Sequence, residues 1–532
     1  MSGTDPALTT VVIGAGFAGI GTAIRLLQNG IDDFVILERD VRPGGTWRDN
    51  TYPGAACDIP SRLYSYSFAP NAGWSHTYSG SDEILAYIDR MIDDHDLDKH
   101  IRYSHLVTGL RFAETDGTWQ VQVADREPII ARAVVVASGP LSTPGYPEIP
   151  GLEEFTGHRM HSAAWDHDYD FAGKKVGVIG TGASAVQLIP ELVRAGAEVT
   201  VYQRTPGWVL PRLNRRISRP VRRVYRTLPL TQSISRGLWY LGHESVALGA
   251  VWNTPFTRVI EGVAKLNLRA QVDDPWMRRQ LTPDFRAGCK RLLMTSDYYP
   301  SLQAENCALV TWPIVDITAQ GVRTVEGVER RFDCLVFATG FEVSKQGTPI
   351  PITGRDGRVL ADEWARGAYA YKSFAVSGYP NLYFTFGPNS GPGHNSALVY
   401  MEAQIDAIVT AISTIRARGL KQLDVHRPAQ DAYNAVIQRR LRATTWDSGC
   451  RSWYLTDDGF NATMYPGFAS QYVGQMRGVD FSRDFRAVAG DRLPECAGER
   501  ERQVMIRGSP GPLSWGWPSP PSRPSRGRGR CR

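Results

Sequence analysis

Residues 8–38, LTTVVIGAGFAGIGTAIRLLQNGIDDFVILE, contain the pattern that decides the fold of this chain. A short apolar strand runs directly into a loop with glycines at Gly14, Gly16 and Gly19, and apolar residues then recur on one face of a helix. A second apolar strand ends at Glu38, 19 residues after the last of these glycines. The glycines permit a tight turn and the close approach of a pyrophosphate, and the acid suits a ribose diol. The stretch therefore predicts a β-α-β unit that binds a dinucleotide.

The same pattern returns 166 residues further along the chain, at residues 175–205. A strand leads into a second glycine loop that begins at Gly180, a helical pattern follows, and the next strand ends beside Arg204 instead of an acid. A carboxylate repels a 2′-phosphate, whereas an arginine binds one through paired, charge-assisted N–H bonds. The two units therefore predict FAD in the first and NADPH in the second. The alternatives are a plain packing turn in each unit and a surface Arg204 that binds no ligand.

The order of the elements predicts an α/β fold in which one nucleotide-binding domain is inserted in another. The segment 139–151 is rich in proline and glycine, which is typical of an interdomain connection. The apolar strand 334–337 resembles 134–137, and both lead into a glycine, which indicates that the chain returns to the first domain. We predict two Rossmann-like domains and a tail: an FAD-binding domain at 1–145 and 331–486, an NADP-binding domain at 146–330 with a helical elaboration at about 206–290, and a disordered tail at 487–532.

The composition excludes several classes of protein. With 532 residues, of which 42% are hydrophobic and 21% charged, the chain can bury large cores. The net charge of +6 lies mostly in residues 487–532, which hold nine arginines and four acids, so the body has no electrostatic footprint for nucleic acid. Seven scattered cysteines lack the spacing of a disulfide scaffold or a zinc ribbon, which favours a reducing compartment.

The sequence contains no segment that we expect to insert stably in a membrane. Residues 1–10 lack the basic region and apolar run of a signal peptide, and no apolar run reaches the roughly 18 residues of a spanning helix. We therefore expect a cytoplasmic protein. The nearest candidate, 238–252, is interrupted by His243, Glu244 and Ser245. It is typical of a buried helix or of a helix on a membrane surface, so peripheral association stays open.

The residues themselves determine the electron acceptor only in part. A disulfide reductase needs two closely spaced cysteines beside the flavin. The segment after residues 44–46 has Trp47 in place of such a pair, and Cys57 has no near partner. The acceptor is therefore molecular oxygen or an organic substrate. His158, His161 and His167 are not accompanied by a cluster of cysteines or carboxylates, so we predict no metal site.

Two further motifs resemble those of a known family. One is GGTWRDNTYPGAACD at 44–58, and the other is FTGHRMHSAAWD at 155–166, which fills every fixed position of the pattern F-x-G-x-x-x-H-x-x-x-W-P/D. Together with the glycine loops, they resemble the Baeyer–Villiger flavin monooxygenases over about residues 8–486, and in particular the bacterial members similar to 4-hydroxyacetophenone and phenylacetone monooxygenases. The related N- and S-oxidising enzymes typically have tyrosine where this chain has Trp165.

The resemblance implies an enzyme that uses NADPH and O2 to convert a ketone or aldehyde into an ester or lactone. In that family NADPH reduces the flavin, oxygen adds at its C4a atom, and the peroxide attacks the carbonyl group. The resemblance implies that Arg291 stabilises the developing negative charge and that Asp58 pairs with Arg291; a purely structural ion pair is the alternative. It also implies that Lys290 joins Arg204 and Thr205 at the 2′-phosphate.

The resemblance implies further cofactor contacts. For one of them, Trp453, packing in a core is an equally good interpretation. The implied FAD contacts are Gly14, Gly16, Ala18, Gly19, Glu38, Thr46, Trp47, Asp58, Tyr64, Val107 and Met401. The implied NADP contacts are Ala56, Cys57, Thr181, Gly182, Ala183, Ser184, Ala185, Val186, Gln187 and Trp453, together with the cations already named.

Two other functions remain open from the sequence. The first is oxygenation of sulfur or nitrogen, and the second is an NADPH oxidase or redox module that has lost oxygenation. The presence of Arg291 together with Asp58 favours an oxygenase.

Overall fold

A computed structural model describes residues 7–342, 348–449, 452, 454–456 and 458–490. Its strands are β1 Leu8–Ile13, β2 Phe34–Leu37, β3 Ile101–Arg102, β4 Val107–Ala113, β5 Thr118–Val123, β6 Ile129–Val136, β7 His158–His161, β8 Lys175–Ile179, β9 Glu198–Tyr202, β10 Val209–Leu210, β11 Leu293–Met294, β12 Cys307–Val310, β13 Ile314–Thr318, β14 Gly321–Thr324, β15 Glu329–Arg331, β16 Cys334–Phe337, β17 Ile352–Thr353, β18 Leu382–Phe384, β19 Leu420–Val425 and β20 Phe485–Ala489.

The α-helices lie between and after these strands. They are α1 Phe17–Gln28, α2 Thr46–Asp49, α3 Ser81–Asp94, α4 Ala185–Arg194, α5 Arg219–Thr227, α6 Pro229–Ala250, α7 Pro255–Gln271, α8 Pro275–Gln280, α9 Tyr298–Leu302, α10 Leu360–Glu363, α11 Ala397–Arg418, α12 Arg427–Leu441 and α13 Ala469–Arg477. Helices α5 to α8 follow one another within the segment for which the sequence predicts a helical elaboration.

The first sheet is built around parallel strands in the order β3, β2, β1, β6 and β18. The antiparallel strands β4 and β5 continue from the first half of β6, and β17 pairs with the outer edge of β4. Every residue of β2 is buried, as is typical of a parallel strand covered on both faces. Strand β1 begins at Leu8, the first residue of the predicted β-α-β unit, and β2 ends at Leu37, directly before Glu38.

The second sheet is parallel throughout, in the order β12, β9, β8, β16 and β7. A small antiparallel sheet, β13 to β15, lies in the chain between two of its strands. One sheet built around parallel strands and one wholly parallel sheet, each with its own β-α-β unit, confirm the predicted α/β class with two Rossmann-like units.

Two predicted boundaries need correction. Strand β16 falls after the predicted return to the first domain at residue 331, but it pairs with β8 and β7 of the second sheet. The chain therefore leaves the second sheet only after Phe337, because the all-apolar strand completes that sheet's interior. The predicted tail begins at 487, yet residues up to Ala489 pair with β19, which satisfies their backbone groups. The rest of that tail, 491–532, lies outside the described residues.

Helix α11 passes through the core beside α1, α13 and β19. Within the described part of the chain it is the one helix that is long and apolar enough to cross a membrane, and 67% of that apolar stretch is buried inside the protein. Its hydroxyl cap, Ser396, accepts a hydrogen bond from the N–H of Leu398. Its burial and its polar inward side chains, such as Gln404, are those of a core helix.

Candidate active site and nucleotide sites

The first glycine loop leaves a cradle that no side chain fills. Gly14 has a φ of +105°, and a Cβ there would lie 2.8 Å from the carbonyl oxygen of Ala137. A Cβ at Gly19 would lie 1.8 Å from the carbonyl oxygen of Gly14, and one at Gly45 would lie 3.2 Å from the Cα of Gly16. No side chain caps the N-terminus of α1. The free N–H groups at this end of the helix fit a pyrophosphate.

Glu38 stands at the end of β2 and is 4% exposed. One carboxylate oxygen accepts a hydrogen bond from the N–H of Ala15 at 2.8 Å. The other accepts from the guanidinium of Arg48 at 2.9 Å and from the N–H of Asp40 at 3.0 Å. A carboxylate oxygen with one donor can accept a second, so this group fits the ribose diol of FAD beside the glycine loop.

The residues predicted to line FAD divide between two apolar clusters. Ala18 is buried in the cluster on the α1 face of the first sheet, and Trp47, Tyr64 and Met401 pack against it. The indole N–H of Trp47 donates to the hydroxyl of Tyr64 at 3.1 Å. Val107 belongs to the cluster on the other face of the sheet, so it does not join the others. Thr46 begins α2, directly after the glycine pair that faces Gly16.

The second glycine loop is more open. Gly180 has a φ of +116°, and a Cβ there would lie 2.4 Å from the carbonyl oxygen of Ala338, but a Cβ at Gly182 would meet no atom within 4 Å. Gly182 and Ala183 are exposed, and Ser184 precedes α4 without capping it through its side chain. The hydroxyl of Thr181 donates to the carbonyl oxygen of Thr205 at 3.1 Å. Ala185 and Val186 face the core, so only their backbone could contact NADP.

Two cations stand together beyond β9. Burial lowers the pKa of Lys290, and the neighbouring charge of Arg204 lowers it further, with Asp284 as a partial counter-charge. The ammonium group of Lys290 lies 4.7 Å from the ring centroid of Phe285. Arg204 is exposed and has no ion pair with any of the described residues. Two like charges held together fit a doubly charged phosphate, which relieves their repulsion.

Gln187 joins the second unit to the segment 52–56 of the first. Its side-chain oxygen accepts from the hydroxyl of Tyr52 at 2.8 Å and from the N–H of Ala56 at 3.3 Å. Its amide N–H donates to the carbonyl oxygen of Ala56 at 2.9 Å. A Cβ at Gly54 would lie 2.8 Å from the carbonyl oxygen of Gln187, so a glycine is needed for this approach. The predicted NADP contacts Ala56 and Gln187 are thus bonded to each other.

Asp58 and Arg291 form a bidentate ion pair at the end of this segment. The Nε and Nη2 atoms of Arg291 each lie 2.6 Å from one oxygen of Asp58. Burial opposes ionisation of Asp58, but the facing guanidinium outweighs it and keeps the pKa of the carboxyl below its usual value. The Asp58 charge raises the pKa of Arg291. The side chain of Arg291 as a whole is 41% exposed, and its guanidinium is held in position by the aspartate.

The sequence did not identify two residues beside this pair. Arg212 donates to the carbonyl oxygen of Cys57 at 3.0 Å, and its charge helps to lower the pKa of Asp58. Tyr454 interacts electrostatically with Arg291, and burial raises the pKa of its hydroxyl to about 12, so it stays protonated. Arg212 is one of many arginines after the second glycine loop, and Tyr454 adjoins the predicted Trp453. Trp453 itself lies outside the described residues.

Thiol and metal chemistry have little support in the described residues. Burial raises the pKa of the Cys57 thiol, and the described free cysteines, Cys57, Cys307 and Cys334, are distant in sequence. No group of three or more His, Cys, Asp or Glu side chains could hold a metal ion in the described parts of the chain. His161 is buried; its Nδ1 accepts from the N–H of Ala163 at 3.0 Å, and burial lowers its pKa.

The segment 155–166 also ties the two units together at its end. His158 lies 3.2 Å from the carboxylate of Asp166, and the ring of Trp165 stacks on Phe171 at 5.4 Å. The next residue, His167, is hydrogen-bonded to the hydroxyl of Thr51 at 2.8 Å. The second motif of the resemblance therefore reaches the segment that the first motif provides.

Each of the two β-α-β units has a glycine loop. The second strand of the first unit ends at an acid, and that of the second unit ends beside a pair of cations. This arrangement defines a flavoprotein oxidoreductase with two nucleotide sites. A family model described as pyridine nucleotide-disulphide oxidoreductase matches residues 11–226. A Baeyer–Villiger monooxygenase of Pseudomonas aeruginosa is 42% identical over 476 residues, 88% of this chain and 90% of that protein. OTEMO in complex with FAD and NADP superposes with a TM-score of 0.81 at 27% identity, over 91% of this chain and 100% of that chain.

A closed structure of cyclohexanone monooxygenase has a TM-score of 0.82 at 27% identity and covers 92% of this chain and 100% of that one. The likeness to the curated relative extends over nearly the whole of both proteins. The chain belongs to the Baeyer–Villiger monooxygenases, which are flavin enzymes, and the family predicted from its motifs is confirmed.

Proposed function

We propose that this enzyme uses NADPH and O2 to insert one oxygen atom next to the carbonyl group of a ketone or aldehyde, giving an ester or lactone, and that Arg291 is its central catalytic residue. The observation that carries the proposal is the bidentate ion pair of Asp58 and Arg291. Asp58 follows the segment 52–56, which is hydrogen-bonded to Gln187 of the second unit. We expect the reaction in the cytoplasm, where the sequence predicts the protein to be.

Arg291 suits this role because its charge does not depend on pH in the physiological range. During attack on a carbonyl group, negative charge develops on the carbonyl oxygen, and a fixed cation stabilises that charge more strongly where water is excluded. Asp58 accepts two hydrogen bonds from the guanidinium and so fixes its plane. Arg212 holds the backbone of Cys57, next to Asp58, and acts as a positioning residue. Tyr454, whose buried hydroxyl stays protonated, interacts electrostatically with this ion pair and adds no charge to it.

We assign FAD to the first unit, with the pyrophosphate at Gly14 and Gly16 and the ribose at Glu38. We assign NADPH to the second, with the 2′-phosphate at Arg204 and Lys290. When bound, FAD supplies the oxygen-activating chemistry and NADPH the reducing hydride. Thr46, Trp47, Tyr64 and Met401 are proposed FAD contacts from the cluster described above, and Thr181 to Ser184 with Gln187 are proposed NADP contacts. Val107 and Trp453 stay predictions.

The experiment that tests the reaction is turnover of the purified holoenzyme with NADPH under 18O2. With a ketone present, we expect one 18O atom in the ester and one ester formed for each NADPH consumed. The products are measured by mass spectrometry and NADPH by absorbance. Hydrogen peroxide release without an ester would indicate an oxidase. Labelled sulfoxide or N-oxide from a sulfide or amine, with no ester from any ketone, would indicate heteroatom oxygenation.

A further inference from the structure

Four large apolar residues of helix α6 are exposed to solvent, although the helix also has a buried side. Leu230, Ile234, Leu238 and Leu241 recur at intervals of four, four and three residues, which places them on one face of the helix. All four are between 55% and 66% exposed. The charged residue Glu244, by contrast, is buried on the inner side. Large apolar side chains that point outward together mark a surface for another apolar body.

Helix α7, which packs against α6, repeats this inverted pattern. Phe256, Val259, Val263 and Leu266 lie on its outer face and are at least 42% exposed. Its acid, Glu261, is buried and accepts a hydrogen bond from the N–H of Ala287 at 3.2 Å. We call the outward side chains of α6 and α7, eight in all, the apolar face.

The exposed charged side chains on α5, α6 and α7 are all basic. Residues 219–271 contain eight basic side chains and two acids, and both acids, Glu244 and Glu261, are buried. Helix α5, directly before α6, exposes Arg219, Arg223 and Arg226. The surface of α5 to α7 is therefore basic and apolar with no exposed acid. This combination fits phosphate headgroups above an acyl layer.

We propose that α5 to α7 dock on the surface of a lipid bilayer that contains anionic headgroups, with the arginines at the phosphates and the apolar face in the acyl boundary. A second copy of this chain is less suitable, because a symmetric contact would bring the same arginines together. The segment 491–532 is less suitable as well, because that part of the chain is itself rich in arginine. Anionic lipid supplies both the apolar and the negative complement.

The inner side of α6 holds the segment that follows Asp58. Arg236 donates to the carbonyl oxygen of Arg62 at 2.8 Å and to that of Ser65 at 2.9 Å. Arg62 in turn donates to the hydroxyl of Ser235 at 2.9 Å. A helix is about 10 Å thick, so docking would bring this segment within that distance of the bilayer. If the proposed function holds, an apolar ketone dissolved in the membrane would then be concentrated near the enzyme.

The test is co-sedimentation of the flavin-loaded, full-length enzyme with vesicles. We expect binding to vesicles that contain phosphatidylglycerol, weaker binding to phosphatidylcholine alone, and release by salt, which screens the arginines. The double variant Leu238→Glu with Leu241→Glu should lower the partition coefficient at least roughly tenfold. Arg219→Glu with Arg223→Glu should lower it roughly fivefold for each arginine. The control pair, Leu106→Glu with Val325→Glu, changes two exposed apolar residues outside the apolar face and should bind like wild type.

Flavin content and turnover of a water-soluble ketone show whether each variant is folded, and the vesicle assay itself needs no turnover. Loss of lipid binding is thereby distinguished from failure of the proposed reaction. The proposal is overturned if wild type does not bind the anionic vesicles, or if both leucine and arginine variants bind like the control. It is also overturned if light scattering finds a wild-type dimer that the leucine variant converts to a monomer, since a second copy would then cover the face.

Discussion

The two glycine loops of this enzyme begin in the same way and then diverge. Gly14 and Gly180 both have a positive φ, and each packs its Cα against a backbone carbonyl of its own sheet. At the third motif position, Gly19 packs directly on the backbone of Gly14, whereas the second loop has Ala185. The methyl group of alanine prevents an equally close approach, and α4 begins at Ala185 itself, while α1 begins two residues before Gly19.

The residues that follow β2 and β9, the second strands of the two units, also differ in how far they are covered. Glu38 is buried under an ion pair and two backbone donors, whereas Arg204 is exposed beside Lys290. Phe17 is buried, and its counterpart in the second loop, Ala183, is exposed. Gly16 is half-buried, and its counterpart Gly182 is exposed. A covered loop suits a nucleotide that remains bound, and an open loop suits one that exchanges in every turnover. The comparison therefore teaches that one motif can be adapted to a resident FAD or to a transient NADPH by what covers it.

The largest expected effect concerns the ion pair of Asp58 and Arg291, which joins the end of the motif 44–58 to a residue far along the chain. Arg291→Ala should lower ester formation at least roughly 10³-fold, because the developing negative charge loses its cation. Anaerobic reduction of bound FAD by NADPH should continue, since Arg291 does not contact the 2′-phosphate cations in this assignment. Ester yield and flavin bleaching in a stopped-flow instrument measure the two steps separately.

Arg286→Ala is the matched control for this variant, because Arg286 lies in the same segment but pairs with Glu261 away from Asp58. It should keep wild-type ester formation. An Arg291→Ala enzyme that still makes ester within tenfold of wild type, or one that loses only flavin reduction, would refute the assigned role. Arg291→Lys keeps the charge without the bidentate geometry and should lie between the two.

The next largest effect is expected when the residue at the third motif position is exchanged between the two glycine loops. Gly19→Ala places a Cβ 1.8 Å from the backbone oxygen of Gly14, so we expect a loss of about 3 kcal/mol in the free energy of unfolding and an enzyme purified with little FAD. Ala185→Gly opens space in the second loop and should cost about 1 kcal/mol through helix propensity alone. Urea denaturation and the flavin-to-protein ratio measure both. Equal losses for the two variants would remove the distinction between a close and a relaxed loop.

A smaller effect tests the strand ends. Arg204→Ala should lower kcat/KM for NADPH roughly 10- to 100-fold by removing a charge-assisted contact, with kcat/KM for NADH nearly unchanged. Steady-state oxidation of both coenzymes gives the ratio. Arg215→Ala, another exposed arginine beyond the same strand, is the control and should leave the ratio as it is. A parallel fall for NADH would mean that Arg204 supports the fold and does not recognise the phosphate.

The parts that could be predicted from sequence are local. Strand β2 coincides with an apolar run, since a parallel strand is buried on both faces and the polar residues Asp33 and Glu38 flank it. Strand β16 lies at the predicted residues 334–337. The pairing of β16 could not be predicted in this way, because an all-apolar strand fits the interior of either sheet equally well. Its resemblance to the end of β6 reflects a shared role within each sheet and does not indicate membership of the first.

The candidate site follows the same rule. Asp58 and Arg291 are 233 residues apart, and the resemblance paired them where spacing alone could not. Arg212 and Tyr454 were missed because their part in the site depends on tertiary contacts with the Asp58 segment. Val107 stays a predicted FAD contact, and its side chain packs on the opposite face of the first sheet from Trp47. A residue's face in a sheet is set by register, which a short motif does not contain.

The smallest expected effect is a pH dependence of kcat/KM for NADPH, which arises at Lys290 beside Arg204. The pKa of Lys290 lies below its usual value because of burial and the charge of Arg204, so the ammonium loses its proton earlier than a free lysine as the pH rises. Lysine binds a phosphate only when protonated, so kcat/KM for NADPH should fall on the alkaline side, by less than roughly tenfold for one cation.

Lys290→Arg should remove the fall, because arginine stays charged, and Arg204→Ala should move it to higher pH by relieving the repulsion. NADH, which lacks the phosphate, is the control and should give a flat profile. If NADH gave the same alkaline fall, the titrating group would belong to a step common to both coenzymes and not to the phosphate site.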